Sequence, residues 1–389
     1  MGNIDRNKLS WTNIFMTAGA FISYTVGSGF ASGNEVLQFY GSWGAEGTAL
    51  AIFCGVITAA IYCVSFYLLG RQSTLAKPTE VYLFLGGRTL GWIYQIFVYV
   101  FILSCFMLMF SGAANVLYQE FGVAKWLGAV LLGSVSLLIV LKGLKTVEKV
   151  LGWAGIILLG YTLVFATVSV LNPQCSIGEA SFIKEAVATG QIWQANLFAL
   201  FPFSLFPGLT AMNGPVVEGT LYPAVCLVSG SPFYFTLGKR AASNKEAIVS
   251  GIVTAVSFFT CVCFSLLIML MNGSKLIDVG TGKMYEIPLL AAVDFLWPAG
   301  SWTYSLIIFI GIFTTTTGYL WVINDLLFLG HDEGLTAKGR LLVLILTIIG
   351  IFFGGLIPFS VLINLMFPIC GIVGLMMTIS AVGKVLFKI

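Results

Sequence analysis

Charge is what this 389-residue sequence has least of: Asp, Glu, Lys and Arg together make up 9% of it. A soluble chain carries about 25% charged residues, so water-soluble domains of this length would lack a polar surface. There is one histidine, His331, and no apolar stretch gathers acidic, His and Cys residues. An intramembrane enzyme would need such a metal or acid–base constellation, so none is expected. The net charge is only +3, with no basic run, which excludes a partner with a phosphate backbone, nucleic acid above all. No segment reads as a selectivity ring or a pore repeat, which argues against a channel. Neither disulfides nor a zinc site is expected. Cys54, Cys63, Cys105, Cys226, Cys261, Cys263 and Cys370 fall in apolar stretches, Cys175 stands alone in a loop, and none has ligand spacing.

What remains is 58% hydrophobic residues, 44 glycines and 32 phenylalanines, the profile of a polytopic helical membrane protein whose close helix packing uses small residues. Apolar spans of about 20 residues or more run over 11–40, 44–70, 89–118, 123–141, 147–171, 218–238, 246–272, 301–328, 339–357 and 359–387. The polar start and the uncleavable first span predict a retained first helix. With a cytoplasmic N-terminus, ten crossings place 15 basic residues inside and 4 outside. That is the asymmetry the positive-inside rule demands. Residues 191–213 are apolar enough to span, but crossing there would put Lys239, Arg240 and Lys245 outside, and Pro202 and Pro207 break a straight helix. They read as an outer interfacial or re-entrant element, as does the run 284–297 that ends at Pro298.

Ten helices divide into 11–171 and 218–387, with 172–217 as the outer connection, within one transmembrane domain. Five helices is an odd number, so the second set starts from the opposite face: a 5+5 inverted repeat of the kind secondary transporters use. Helix 1 carries Val26-Gly27-Ser28-Gly29-Phe30-Ala31-Ser32-Gly33 and helix 6 carries Val228-Ser229-Gly230-Ser231-Pro232. Gly and Pro cost about 1 and 3 kcal/mol in a helix interior, so both leading helices are expected to be broken mid-membrane. The alternative is a pair of close-packing motifs, since Gly29 and Gly33 are four apart.

Gly27-Ser28-Gly29-Phe30-Ala31-Ser32-Gly33-Asn34-Glu35, continuing to Gln38-Phe39-Tyr40, closely resembles the first-helix signature of the YkvI-like bacterial membrane proteins. These form a branch of the amino acid–polyamine–organocation superfamily. Val26-Gly27-Ser28-Gly29 also looks like the unwound segment of LeuT-type transporters. Leu237-Gly238-Lys239 with Ser243-Asn244-Lys245, and the Thr-rich helix 8, resemble the same pattern. The resemblance implies an all-α LeuT-type fold and a sodium site. In that site Thr314 and Thr315 supply hydroxyls, while Ser23, Val26 and Gly311 supply carbonyls.

Thr314-Thr315-Thr316-Thr317 are poor helix formers with no packing motive. Their hydroxyls either ligate a cation or bond back to the preceding turn. Glu35 is the acidic residue beside the helix 1 break, and an intramembrane carboxylate is a functional candidate by default. It can pair with a substrate ammonium, carry a coupling proton or brace the break. Asp325, near the inner end of helix 8, reads as a solvated or an inter-helix gate contact. Backbone at Gly27, Ser28 and Gly29, with Tyr222, Cys226 and Ser229 of helix 6 and Gln95, Tyr99 and Ser104 of helix 3, would line a solute cavity. The expectation is a multi-pass protein of the cell membrane, both termini cytoplasmic, that symports a small amino-acid-like or zwitterionic solute with sodium. It has no organic cofactor and no obligatory protein partner. The rivals are proton coupling through Glu35 and a non-transporting sensor built on the same fold.

Overall fold

The computed structural model describes residues 9–25, 27–73, 75, 80–141, 160–172, 174–196, 214–328, 336–354, 356 and 358–387. The side chains of Ser23, Ser28, Thr314 and Asp325, all of Val26 and His331, and most of the 191–213 element lie outside the described residues. The fold is almost wholly helical. The first apolar span is three pieces, α1 (Trp11–Thr25), α2 (Ser28–Ser32) and α3 (Asn34–Phe39). A 3-10 turn then leads to α4 (Gly44–Gln72), α5 (Val81–Phe121) and α6 (Lys125–Leu141). Next come α7 (Gly160–Leu171), the short outer helix α8 (Glu179–Ala188), α9 (Pro215–Lys239) and α10 (Asn244–Leu270). A two-stranded hairpin, β1 (Ile277–Asp278) and β2 (Lys283–Met284), precedes α11 (Pro288–Leu296), α12 (Pro298–Phe328), α13 (Ala337–Gly354) and α14 (Phe359–Phe387).

Among the described residues six stretches are long and apolar enough to cross a membrane: Asn34–Gln72, Val81–Phe121, Asn244–Leu270, Pro298–Leu320, Ala337–Gly354 and Phe359–Phe387. The span expected at 147–171 is described only from Gly160 onwards. The third span begins earlier than its apolar run suggests. Val81 starts it, and Gly87 (φ 61°, ψ −157°) bends the chain before the long stretch. Hydropathy misses that first segment because Arg88 interrupts it. The short helix α11, stopping before Pro298, is the element expected at 284–297. The hairpin before it was not expected, since two-residue strands leave no periodicity to read.

Small residues set the close approaches. A Cβ on Gly219 would strike the backbone of Ala51, one on Gly238 that of Tyr67, and one on Gly70 that of Phe235. Helices α4 and α9 therefore pack backbone to backbone, which only glycine allows. On the opposite side of α9, Gly374 of α14 sits against the Ala224 backbone in the same way. Helix α9 is thus held between α4 and α14, while α5 contacts α6, α12 and α14.

One expectation is corrected here. Helix α9 is continuous from Pro215 to Lys239, although Pro223 and Pro232 lie inside it. The physical reason is hydroxyl substitution. A proline cannot donate to the carbonyl four residues back, which for Pro223 is Gly219 and for Pro232 is Val228. Tyr40 donates its hydroxyl to the Gly219 carbonyl at 3.1 Å, and Tyr82 donates to that of Val228 at 3.2 Å. Tyr24 donates to Ser229 at 3.1 Å, Ser231 to Leu227 at 2.5 Å and Tyr234 to Cys226 at 3.2 Å. Four consecutive carbonyls, 226 to 229, thus accept side-chain hydroxyls.

Candidate functional site

Helical hydrogen bonding stops at Thr25 and resumes at Ser28, with Gly27 extended between them (φ −97°, ψ −162°). The amide of Gly27 reaches back only to the Thr25 carbonyl, at 2.9 Å. A second interruption follows at Gly33, whose φ of 78° belongs to glycine. A side chain there would also meet Leu289 and Met269. Around the first interruption Tyr24, Thr25, Gly27, Gly29 and Glu35 line one cavity. Helix α5 adds Phe101, Cys105, Leu108 and Met109; α9 adds Val225, Cys226 and Ser229; α12 adds Thr315 and Tyr319; α14 adds Phe367.

Glu35 is the carboxylate in this lining. Its residue is 8% exposed, and its Oε2 accepts from the Tyr222 hydroxyl at 3.0 Å. Its other oxygen lies against Gly29, so a Cβ there would overlap the carboxylate. No basic side chain lines the cavity among the described residues. Thr315 faces the interruption from α12: a Cβ on Gly27 would be 3.4 Å from its Oγ1. That hydroxyl donates to the Gly311 carbonyl at 3.0 Å, and Thr316 and Thr317 donate likewise to Ile312 and Phe313. Back-bonding and cation ligation are compatible for Thr315, because a hydroxyl that donates once retains two lone pairs.

Beyond α2, a set of polar contacts ties α3 to the chain at Gln194, Glu286 and α14. Asn34 Nδ2 donates to the Glu286 carbonyl at 3.0 Å, and Gln38 Nε2 donates to Asn34 Oδ1 and to the Ser360 carbonyl. Asn364 Nδ2 bridges Gln38 Oε1 at 3.1 Å and the Gln194 carbonyl at 2.8 Å. The described part of the 191–213 element therefore sits over α3, with the Ala195 amide on the Gln38 carbonyl.

The sequence candidates divide accordingly. Gly27, Gly29, Cys226, Ser229, Glu35 and Thr315 line one cavity, and Tyr222 stands directly behind Glu35. Gln95, Tyr99 and Ser104 do not: Gln95 donates to Tyr99, and Ser104 to its own helix at Val100. They were selected for polarity, whereas helix phase selects Phe101, Cys105, Leu108 and Met109, which share one face at i, i+4, i+7 and i+8. The same phase rule applied to Thr315 points to Tyr319, one turn further along α12, as well. Of the cation set, Gly311 and Thr315 are placed on α12. Ser23 is placed on α1 through its backbone alone, and the Thr314 side chain and Val26 are outside the described residues.

No family model matches the sequence. It is 22% identical over 312 residues to the uncharacterized membrane protein YkvI of Bacillus subtilis (strain 168), covering 78% of each chain. It is also 23% identical over 358 residues to the uncharacterized protein YyaD of the same organism, covering 90% of each. Among solved structures, MhsT in complex with L-phenylalanine superposes with a TM-score of 0.55 at 13% identity, over 94% of this chain and 88% of that one. Mhp1, a nucleobase-cation-symport-1 family transporter with bromovinylhydantoin bound, gives 0.54 at 9% identity, over 91% and 74%. A manganese transporter of Eremococcus coleocola gives 0.51 at 15% identity, over 92% and 75%. The chain is a multi-pass membrane protein similar to YkvI, with the LeuT-type fold that these secondary transporters share.

Proposed function

We propose that the protein is a secondary active transporter of the cell membrane, both termini cytoplasmic. It carries a small amino-acid-like solute by alternating access and couples the movement to sodium. The observation that carries this reading is the position of the cavity. It lies where the first membrane helix is interrupted, so backbone, hydroxyl and carboxylate groups converge there without a helix occupying the space. Two inverted five-helix halves, 11–171 and 218–387, would rock around it. Sodium, a hard cation, suits the oxygen donors on the two sides of the interruption. The Thr314 and Thr315 hydroxyls would hold it together with the carbonyls of Ser23, Val26 and Gly311. The cation symport named for Mhp1 supports the coupling by likeness of fold. A second reading draws on Glu35, a buried carboxylate without a basic partner among the described residues of the cavity, which would carry a proton instead.

Uptake into proteoliposomes under an imposed sodium or proton gradient separates these. Sodium-driven accumulation is expected. Accumulation that ignores sodium and follows the proton gradient moves the coupling to Glu35. Specific solute binding with no flux under any gradient identifies a sensor.

A further inference from the structure

Helices α4 and α9 finish side by side. A Cβ on Gly70 would strike the Phe235 backbone and one on Gly238 that of Tyr67, so their last turns lie against one another. A base follows each of these glycines, Arg71 after Gly70 and Lys239 after Gly238. Helix α14 brings a third base to the same level. Its Lys384 sits over the ring of Phe84, 4.6 Å from the centroid. That ring stands edge-on to Phe235 at 5.8 Å, and Phe235 is one turn before Lys239 on α9. Three basic side chains from three helices therefore gather around one pair of rings.

Helix C-termini attract bases, which accounts for their presence at this end but not for what they touch. Lys239 Nζ donates to the Leu75 carbonyl at 2.9 Å, and Lys384 faces an aromatic ring. Arg71 Nε is buried with no hydrogen-bond partner among the described residues. None of these contacts supplies a full negative charge. Glu80, one turn ahead of Phe84, brings an acid to the region, and Arg88 and Arg240, exposed in the same stretches, outweigh it. The depth of the cluster says which anion it suits. Helices α4 and α14 are long and apolar enough to cross a membrane, and Arg71 and Lys384 lie in their last turns, the level of lipid headgroups. Toward the membrane interior Leu90 and Ile93 of α5 and Ile379 of α14 are exposed, an apolar surface for acyl chains.

We propose that Arg71, Lys239 and Lys384 form a binding site for the phosphate of an anionic phospholipid, at the end of the molecule expected to face the cytoplasm. The phosphate accepts from the Arg71 guanidinium and is flanked by the two ammoniums, as basic pockets between membrane helices hold headgroups. A headgroup there fastens the ends of α4, α9 and α14 together. The site is separate from the cavity and stands whether or not a solute is carried.

Native mass spectrometry of the full chain, released from detergent holding equal amounts of phosphatidylglycerol and phosphatidylcholine with the same acyl chains, tests it. A single phosphatidylglycerol is expected to be retained in preference to phosphatidylcholine by at least about tenfold. Arg71→Gln, Lys239→Gln and Lys384→Gln together should abolish that preference. Lys245→Gln, Lys338→Gln and Arg340→Gln, which remove the same charge from exposed positions, should leave it intact. Lys239→Gln alone, on an exposed side chain, should weaken it and decides the matter where the triple variant does not fold. Equal retention of the two lipids by the wild type overturns the proposal, as does equal loss of preference in the two triple variants. Inorganic phosphate in millimolar excess should displace nothing. Displacement by it would assign the cluster to a soluble anion and overturn the lipid.

Discussion

Helix α9 carries two internal prolines and stays helical, whereas the first membrane segment has no proline before Phe39 and comes apart twice. The contrast shows where helix continuity is decided in an apolar medium. A proline frees a carbonyl, and a carbonyl can be served from outside by any hydroxyl within reach. Tyr40 and Tyr82 do this for Gly219 and Val228. At Gly27 the chain leaves helical geometry instead, beside a cavity lined by Glu35 and Thr315. The pieces beyond it are held by other elements. Tyr304 donates to the Ala31 carbonyl at 3.3 Å, and Asn34 and Gln38 reach the chain at Glu286 and Ser360. One segment is repaired into a helix, and the other is opened into a site.

The largest effect expected from breaking this contrast is at Gly29. Its missing Cβ is the room in which the Glu35 carboxylate lies, so Gly29→Leu should abolish transport while the protein still inserts and folds. Uptake in proteoliposomes, set beside size-exclusion behaviour, measures both. Uptake at the wild-type rate would mean the glycine serves packing alone. Gly238→Leu sharpens the comparison, because its side chain would enter the Tyr67 backbone. It should cost expression and folding rather than a single step of transport.

A smaller effect is expected at Thr315, whose hydroxyl faces Gly27 from α12. Thr315→Val keeps the shape and removes an oxygen that apolar surroundings cannot replace. Sodium affinity should fall at least tenfold, about 1.4 kcal/mol, as read from the sodium dependence of uptake. Solute affinity should fall in parallel, since coupling between two sites is reciprocal. Equal sodium dependence in the variant and the wild type would remove Thr315 from the ion site.

Much of this was legible before the fold was known. The 27–35 motif marks both the interruption and the carboxylate beside it, and the Thr run marks the facing helix, because three glycines within seven residues exceed what a packing seam requires and a carboxylate in an apolar span is rare. The helix 6 break was misjudged for a definite reason. A local sequence shows that Pro232 removes a donor, but not that Tyr82, 150 positions away, replaces it. The helix 3 lining was misjudged through polarity. Membrane cavities are lined by whichever face the packing turns inward, and here that face is Phe101, Cys105, Leu108 and Met109.

The smallest expected effect tests the repair itself. Tyr82→Phe removes only the hydroxyl that serves Val228, leaving a buried carbonyl without its donor, at a cost of about 1 kcal/mol. Pro232→Ala returns a backbone N–H four residues beyond Val228, in position to make the helical bond. If the tyrosine substitutes for the missing amide, Tyr82→Phe should be nearly neutral once Pro232→Ala is present. Thermal melts of the wild type, both single variants and the double variant close the cycle. The two costs should then fail to add, by about 0.5 kcal/mol or more. Simple additivity would mean that Tyr82 merely packs against α9 and that the helix tolerates Pro232 unaided. Tyr40→Phe with Pro223→Ala is the matching test at Gly219. There the ring of Tyr40, which the variant keeps, packs edge-on against Tyr222, the residue that donates to Glu35. Tyr40→Phe should therefore lower the melting temperature much as Tyr82→Phe does and leave solute affinity unchanged, whereas a fall in affinity would mean that the Tyr40 hydroxyl also holds Tyr222 in place.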